Sequence, residues 1–308
     1  MEESVTNSSN SLLQPGTLWS KTKQQTKFAR ECGALKSIET EHHVIQQDNI
    51  SFVVRTLSNL ARKEQARKKQ RQQEHKIGKS VDPFLPCEPD LFVGNISPSH
   101  FCLLNKFNVV DNHLLIVTRV FEEQTDLLNL QDFAALVSCM QEIDGLAFFN
   151  GGKIAGASQR HKHLQLIPLP FLPNVVHVPI DEAIADISFK DSLGRINSFP
   201  FRHKVATLDL PWNDSPTEAA QTMLERYHAL LNQVGLETNP QMQQQPAAYN
   251  FLVTRNWMLV VPRSQETFQN IPVNSLGFAG SLFVRDREDL QLLKELTPLR
   301  LLAEVAFS

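Results

Sequence analysis

Three things are missing from this sequence, and each absence removes a class of protein. The four cysteines, Cys32, Cys87, Cys102 and Cys139, include no Cys-x-x-Cys pair. That leaves no thiolate framework for zinc and suits a reducing compartment. No apolar run approaches the ~20 residues that a helix needs to cross a bilayer. Residues 1–20 carry neither the basic start nor the apolar stretch of a secretory leader, so a cytoplasmic protein is expected. Nor does one sign of charge dominate: 30 Lys and Arg stand against 33 Asp and Glu, a formal net charge of −3 at pH 7. Neither nucleic acid nor a membrane surface is therefore an expected partner, and any electrostatic argument must be local.

What remains is a chain of 308 residues, 42% hydrophobic, long enough for one large domain or two packed halves. Residues 1–25 are polar and read as a flexible tail, although helix is conceivable around Leu12–Ala34 with Pro15 and Gly16 interrupting it. The run "ARKEQARKKQRQQEHKIGK" sets eight Lys and Arg against two Glu within a basic insert at about 61–80. It has no aromatic residue for base stacking, so a solvated surface segment is expected. Its "GKS" lacks the earlier glycine and the preceding strand of a phosphate-binding P-loop. Further on, Cys102–Val109 and His113–Arg119 read as two strands joined at Asp111-Asn112. "TDLLNLQDFAALVSCMQEI" reads as a helix capped by Thr125 or Asn129. Strands are expected at "LAFFN", "HKHLQLIPLP", either side of Arg255-Asn256, and at "GSLFVRD". Helices are expected over "TEAAQTMLERYHALLNQVGL" and Glu288–Leu302. Hairpins outnumber βαβ units, which predicts an α+β fold: a mostly antiparallel central sheet with packed helices.

The chemistry concentrates in "NGGKIAGASQRHKHLQLIP", residues 150–168. On a strand, His161, His163 and Gln165 share one face while Lys162, Leu164 and Leu166 take the other. Two histidines at this spacing are often only hydrogen-bonded edge residues, and they also suit a metal, but no carboxylate or thiol ligand lies nearby in sequence. The segment Gly156, Ala157, Ser158 and Gln159 tips the balance. Glycine lets the backbone approach an anion, and exposed N–H groups with Ser158 and Gln159 supply donors. An anion cradle beside aligned imidazoles points to phosphoryl chemistry with a histidine nucleophile.

These residues resemble the ATP adenylyltransferase (diadenosine tetraphosphate phosphorylase) family, the Gln-bearing transferase branch of the histidine-triad (HIT) superfamily. The likeness extends through "LLNKFNVVDNHLLIVTRVFEEQTDLL", "AYNFLVTRNWMLVVPRSQE" and "VNSLGFAGSLFVR", over about residues 50–300. It implies a HIT-like fold whose N-terminal catalytic half (26–170) and C-terminal half (171–308) share one core. It implies reversible transfer of adenylyl from diadenosine tetraphosphate to orthophosphate, giving ATP and ADP, with His163 as nucleophile and His161 orienting the strand and the phosphate. The acceptor range, sulfate and nucleoside diphosphates included, stays open. Gln165 stands where the hydrolase branch has a proton-carrying histidine; an amide donates a hydrogen bond but shuttles no proton, which favours transfer over hydrolysis. The resemblance also assigns substrate contacts to Arg55, Asn105, Lys106, Asn150, Gly156–Gln159, Asn274, Ser275, Leu276 and Arg285. It carries lysine more often where Arg285 stands, and Arg alters the hydrogen-bond geometry. No tightly bound cofactor or protein-held metal is expected, only a divalent cation such as Mg²⁺ riding on the substrate. The implied partners are small nucleotides, and a monomer is favoured. A HIT-type hydrolase, a galactose-1-phosphate uridylyltransferase and a non-catalytic polyphosphate sensor are the rival readings.

Overall fold

The computed structural model describes residues 11–57, 82–172, 175–212, 214–239 and 241–308. The basic insert and its "GKS" lie outside them, as does the start of the tail. The polar tail expected over 1–25 is instead entered by a helix, α1 (Leu18–Glu31), with Leu18 and Thr22 buried. A hairpin follows, β1 (Thr40–Gln47) and β2 (Ile50–Leu57), of which β1 was not foreseen. Then come β3 (Phe92–Asn95), β4 (His100–Leu104), β5 (Leu114–Thr118) and α2 (Leu130–Glu142). The foreseen strand over Cys102–Val109 stops at Leu104 because residues 106–108 bond elsewhere. Lys36 N donates to Lys106 O (2.7 Å) and Ile38 N to Asn108 O (2.8 Å).

Helix α2 begins where a cap was expected. Asn129 accepts from Gln131 N and Asp132 N, and Asp132 reaches back to the Asn129 N–H in a reciprocal box. Beyond it run β6 (Gly145–Gly151), β7 (His163–Pro168), α3 (Asp181–Ala185), β8 (Leu193–Gly194), β9 (Lys204–Thr207) and α4 (Pro216–Gln233). The chain closes with β10 (Tyr249–Val253), β11 (Trp257–Pro262), β12 (Thr267–Phe268), β13 (Ile271–Pro272), α5 (Ser275–Phe278), β14 (Ser281–Val284), α6 (Arg287–Leu296) and α7 (Pro298–Val305). The last two were foreseen as one helix. Thr297, with φ 71°, and Pro298 break it.

Nine strands form the central antiparallel sheet in the order β3-β4-β5-β7-β6-β10-β11-β9-β8. The seam between the N- and C-terminal halves is β6–β10, with Asn150 opposite Asn250. One face is covered by α1, α2 and α4 over Cys102, Ile116, Leu164, Leu166, Phe251 and Val260. The other face is covered at the C-terminal end by β2, β14 and α5–α7 over Leu146, Phe148, Leu252 and Leu259. A small cluster of Phe84, Phe101, Leu103, Leu115 and Val117 covers its far end. With both faces buried, β4, β5, β10 and β11 are buried at every residue and read as largely apolar runs rather than alternating ones. The candidate site lies on the second face, between those two clusters. Among the described residues no helix is long and apolar enough to cross a membrane.

Candidate active site

Leu164 and Leu166 of β7 enter the core beneath the helices, which turns His163 and Gln165 to the opposite face, as the alternation predicted. On that side β5 aligns Val117 with His163 and Leu115 with Gln165. His161 lies just before β7 and bridges to Glu123. His163 Nδ1 donates to the carbonyl of His161 at 2.8 Å, which leaves Nε2 carrying the lone pair. Among the described residues Nε2 has no hydrogen-bond partner. Burial lowers the His163 pKa to about 4, helped by the adjacent His161 and opposed by the bond to the His161 carbonyl. The ring is therefore neutral at pH 7.

One consequence is measurable. Formation of a covalent adduct on His163 should lose rate only as pH falls towards about 4, and should be nearly flat from pH 8 to 5.5. An inflection near 6.5, the ordinary imidazole value, would contradict this environment. His203 is likewise pushed to about 4 by burial. Both rings take up a proton more readily in the unfolded chain. Their contribution to stability is thus complete above about pH 6.5 and lost as pH falls from 6.5 to 4. The urea midpoint should drop over that window.

His161 is locked. Its Nδ1 faces an Asp82 carboxylate oxygen at 2.8 Å, and its Nε2 faces Thr118 O and Oγ1, each at 2.9 Å. Phe84 and Phe121 pack against the ring, and Phe84 also meets His163 edge-on with centroids 5.2 Å apart. Both ring nitrogens of His161 are thus taken by protein partners. Gln165 is oriented by a relay. Asn105 Nδ2 donates to His113 Nδ1 (3.2 Å), so His113 Nε2 carries the hydrogen and donates to Gln165 Oε1 (2.9 Å). The Gln165 NH₂ is left without a partner among the described residues, on the face it shares with His163.

The loop after β6 turns on Gly152 and Gly156, with φ 82° and 93°. A Cβ on Gly156 would lie 2.8 Å from Asn274 Cβ and 3.0 Å from Val273 O, so the loop also presses against the start of α5. Gly156→Ala should therefore spread the loop from that segment and raise KM by about tenfold with the fold retained, in steady-state kinetics. Ser158 and Gln159 make no side-chain hydrogen bond among the described residues. Behind the loop sits a buried polar hub. Asn150 Oδ1 accepts from Asn250 Nδ2 (2.9 Å), Ser275 N (2.9 Å) and Ser275 Oγ (2.7 Å). Asn250 Nδ2 also reaches Ala155 O (2.8 Å). Arg263, 2% exposed, donates to Asn250 Oδ1 (2.6 Å), Val273 O (3.0 Å), Val305 O (3.0 Å) and Gln265 O (2.8 Å). Asn274 caps Leu276 N at the start of α5.

The other sequence candidates divide. Arg55 is buried, donating to Phe171 O (3.0 Å) and Thr40 Oγ1 (3.3 Å); its Nε is unpartnered and no carboxylate faces it among the described residues. Burial lowers its pKa. Lys106 is instead paired with Glu88 at 2.7 Å, and Arg285 grips Asp289 through Nε (2.7 Å) and Nη2 (2.9 Å). Trp257 and Phe278 are core residues: Trp257 Nε1 donates to Asp181 (2.7 Å), and Phe278 lies under Arg263.

Sequence reasoning missed Asp82, Phe84, His113, Gln124, Asn250 and Arg263. Two of them left a signal. His113 shares the parity of Leu115 and Val117, which places it on the Gln165 face once β5 is paired with β7. Asn250 is an amide inside an apolar strand. The motif's Lys162 was read only as the far-side neighbour. It is 1% exposed, with Nζ 2.6 Å from Asp132, 3.1 Å from Glu122 and 3.0 Å from Leu127 O. Asp132 in turn meets His100 at 3.0 Å, and burial's upward push on its carboxyl is overcome by His100 and Lys162, so its pKa is lowered.

Comparison with known proteins identifies the family. The Ap4A phosphorylase N-terminal domain family matches residues 8–186, and the ATP adenylyltransferase C-terminal domain family matches residues 197–308. A diadenosine tetraphosphate phosphorylase 2 from Saccharomyces cerevisiae is 29% identical over 89% of this chain and 90% of its own. The crystal structure of the yeast Ap4A phosphorylase Apa2 in complex with AMP superposes with a TM-score of 0.76 at 25% identity, covering 96% of this chain and 98% of that one. The same yeast enzyme in complex with Ap4A gives 0.74 at 23% identity, covering 96% and 99% of the two chains, a likeness of fold.

Proposed function

We infer the function from one premise: the chain belongs to the Ap4A phosphorylase, or ATP adenylyltransferase, family. It is a nucleotidyltransferase that cleaves diadenosine tetraphosphate (Ap4A) with orthophosphate, reversibly, into ATP and ADP. We propose that it does so in two displacements. His163 Nε2 attacks an α-phosphorus; a P–N bond forms, the bond to the bridging oxygen breaks, and ATP leaves. An orthophosphate oxygen then attacks the same phosphorus, breaks the P–N bond and departs as the β-phosphate of ADP. Each step is easier than one direct displacement.

The observation that carries this reading is the bond from His163 Nδ1 to the His161 carbonyl. It fixes the tautomer, and burial keeps the ring unprotonated, so the nucleophile needs no base. Gln165, fixed by His113, offers its NH₂ to a phosphoryl oxygen but no proton to the leaving group. ATP, already a stable polyanion, needs none; water as acceptor would need a base that Gln165 cannot provide. The amides of Gly156–Gln159 and the buried charge of Arg55 suit the negative oxygens, because a desolvated cation without a carboxylate favours an anionic ligand. Lys106 and Arg285 join them only by exchanging Glu88 and Asp289 for phosphate. Any Mg²⁺ rides on the substrate, and the activity belongs in the cytoplasm.

Mass spectrometry of protein incubated with Ap4A and no acceptor tests the reading. An adenylyl adduct on His163, discharged as ADP by added orthophosphate, is expected. AMP released without phosphate would establish hydrolysis instead, and binding without product would leave a sensor.

A further inference from the structure

We propose that Gln124 is a positioning residue that holds the central sheet open between β6 and β7, setting the nucleophile apart from the anion loop. The proposal rests on the catalytic role given to His163 above. Strands β6 and β7 pair from Gly145↔Pro168 to Phe148↔Gln165 and then stop. Continued by the same register, the ladder would bring Asn150 opposite His163. At that position the Gln124 carboxamide takes the place of the direct bonds. Its Oε1 accepts from His163 N (2.8 Å), and its Nε2 donates to Asn150 O (3.0 Å) and His163 O (3.2 Å). The side chain is only 2% exposed.

The backbone around it explains the arrangement. The segment leading to Gln124 runs as a substitute strand beside the motif: Lys162 N donates to Glu122 O (2.9 Å), and Gln124 N to Arg160 O (2.6 Å). Past Gln165, β7 has therefore exchanged β6 for this segment. One carboxamide meets both main-chain groups of His163 and the Asn150 carbonyl near the end of β6. A carboxamide is suited to that task because it carries one acceptor and two hydrogens in a plane. The same backbone carries the His161 carbonyl that fixes the His163 tautomer. Gln124 touches no reacting atom; it acts through the placement of His163 and Asn150.

The test uses the full chain and the rate of adenylyl adduct formation from Ap4A. Gln124→Ala should lower that rate about 10²-fold, the effect of an approximately 1 Å misplacement, with nucleotide affinity changed less than about threefold. Gln124→Glu keeps the shape and the acceptor but, ionised, has no hydrogen for the two carbonyls. Burial raises a carboxyl pKa, so this variant should be slow at pH 8 and recover as pH falls to 6, where the protonated acid donates again. The wild type stays flat. Should Gln124→Ala fail to fold, the Gln124→Glu profile decides alone. A wild-type rate in Gln124→Ala, or a Gln124→Glu profile parallel to the wild type, overturns the proposal. If the wild type forms no adduct, the catalytic reading has failed. The wedge is then judged by the ¹⁵N shifts of the His163 ring, which should show the Nδ1–H tautomer in the wild type and its loss in Gln124→Ala; an unchanged tautomer overturns it.

Discussion

Replacing His163 by alanine will abolish the adenylyl adduct and lower phosphorolysis of Ap4A by on the order of 10⁴–10⁶-fold, the loss usual when a covalent nucleophile is removed. Affinity for the nucleotide will survive. On the function proposed above, the amides of Gly156–Gln159 and the charge of Arg55 hold the nucleotide independently of this ring, whose one hydrogen bond among the described residues is Nδ1 to the His161 carbonyl. The fold should persist as well, because a single edge contact with Phe84 is the main packing lost. Equilibrium binding of Ap4A to the variant, beside intact-mass measurement, checks both halves. A His163→Ala protein that still acquires adenylyl would move the nucleophile elsewhere.

The second large effect lies at Arg263. Among the described residues no carboxylate touches this buried guanidinium, and burial lowers its pKa to about 9. Oxygens from several parts of the chain converge on it, among them Asn250 from β10, Val273 just before α5, Val305 at the end of α7, and Gln265. Leucine in its place would remove the desolvated charge, which taken alone is favourable. It would also strand several buried acceptors, at about 1–3 kcal/mol for each one left unsatisfied. The second term wins, because several neutral acceptors are stranded at once, together on the order of several kcal/mol. That is a large part of the about 5–15 kcal/mol that keeps a domain folded. Lysine keeps the charge but not the planar fork that serves several directions, and will recover only part of the loss. Urea denaturation of the two variants should rank them in that order. Any folded Arg263→Lys should bind Ap4A more weakly, since Asn250 and Ala155 would no longer be held behind the anion loop.

The catalytic strand was legible because its information is local. Alternation alone placed His163 and Gln165 on one face, and glycine at 152 and 156 marked a turn with positive φ. The α+β class followed from counting hairpins. What escaped is what depends on distant partners. Asp82 and Phe84 reach the histidines from a segment that precedes β3, and nothing in "VDPFLPCEPDL" indicates where it docks. Gln124 reads as a loop residue, since an amide that replaces a ladder of backbone bonds leaves no periodic trace. Lys106 and Arg285 were assigned by the resemblance, and neighbours set their partners: Glu88, eighteen positions away, and Asp289 on the first turn of α6. Arg263 and Lys162 reverse the usual expectation that long cationic side chains stay in water. Their burial is decided by the acceptors that surround them, which only the assembled fold supplies.

The pairing of β6 with β10 decides how this protein could ever be divided. Asn150 from one half and Asn250 from the other meet across that seam, and the hub they build stands directly behind the glycine-bearing turn. Separating the halves would bare the facing edges of β6 and β10 and of β2 and β14, and would split the Asn150–Asn250 hub. Catalysis here is joint property, and an ancestor owning only one of the pieces would have needed a second chain to complete it.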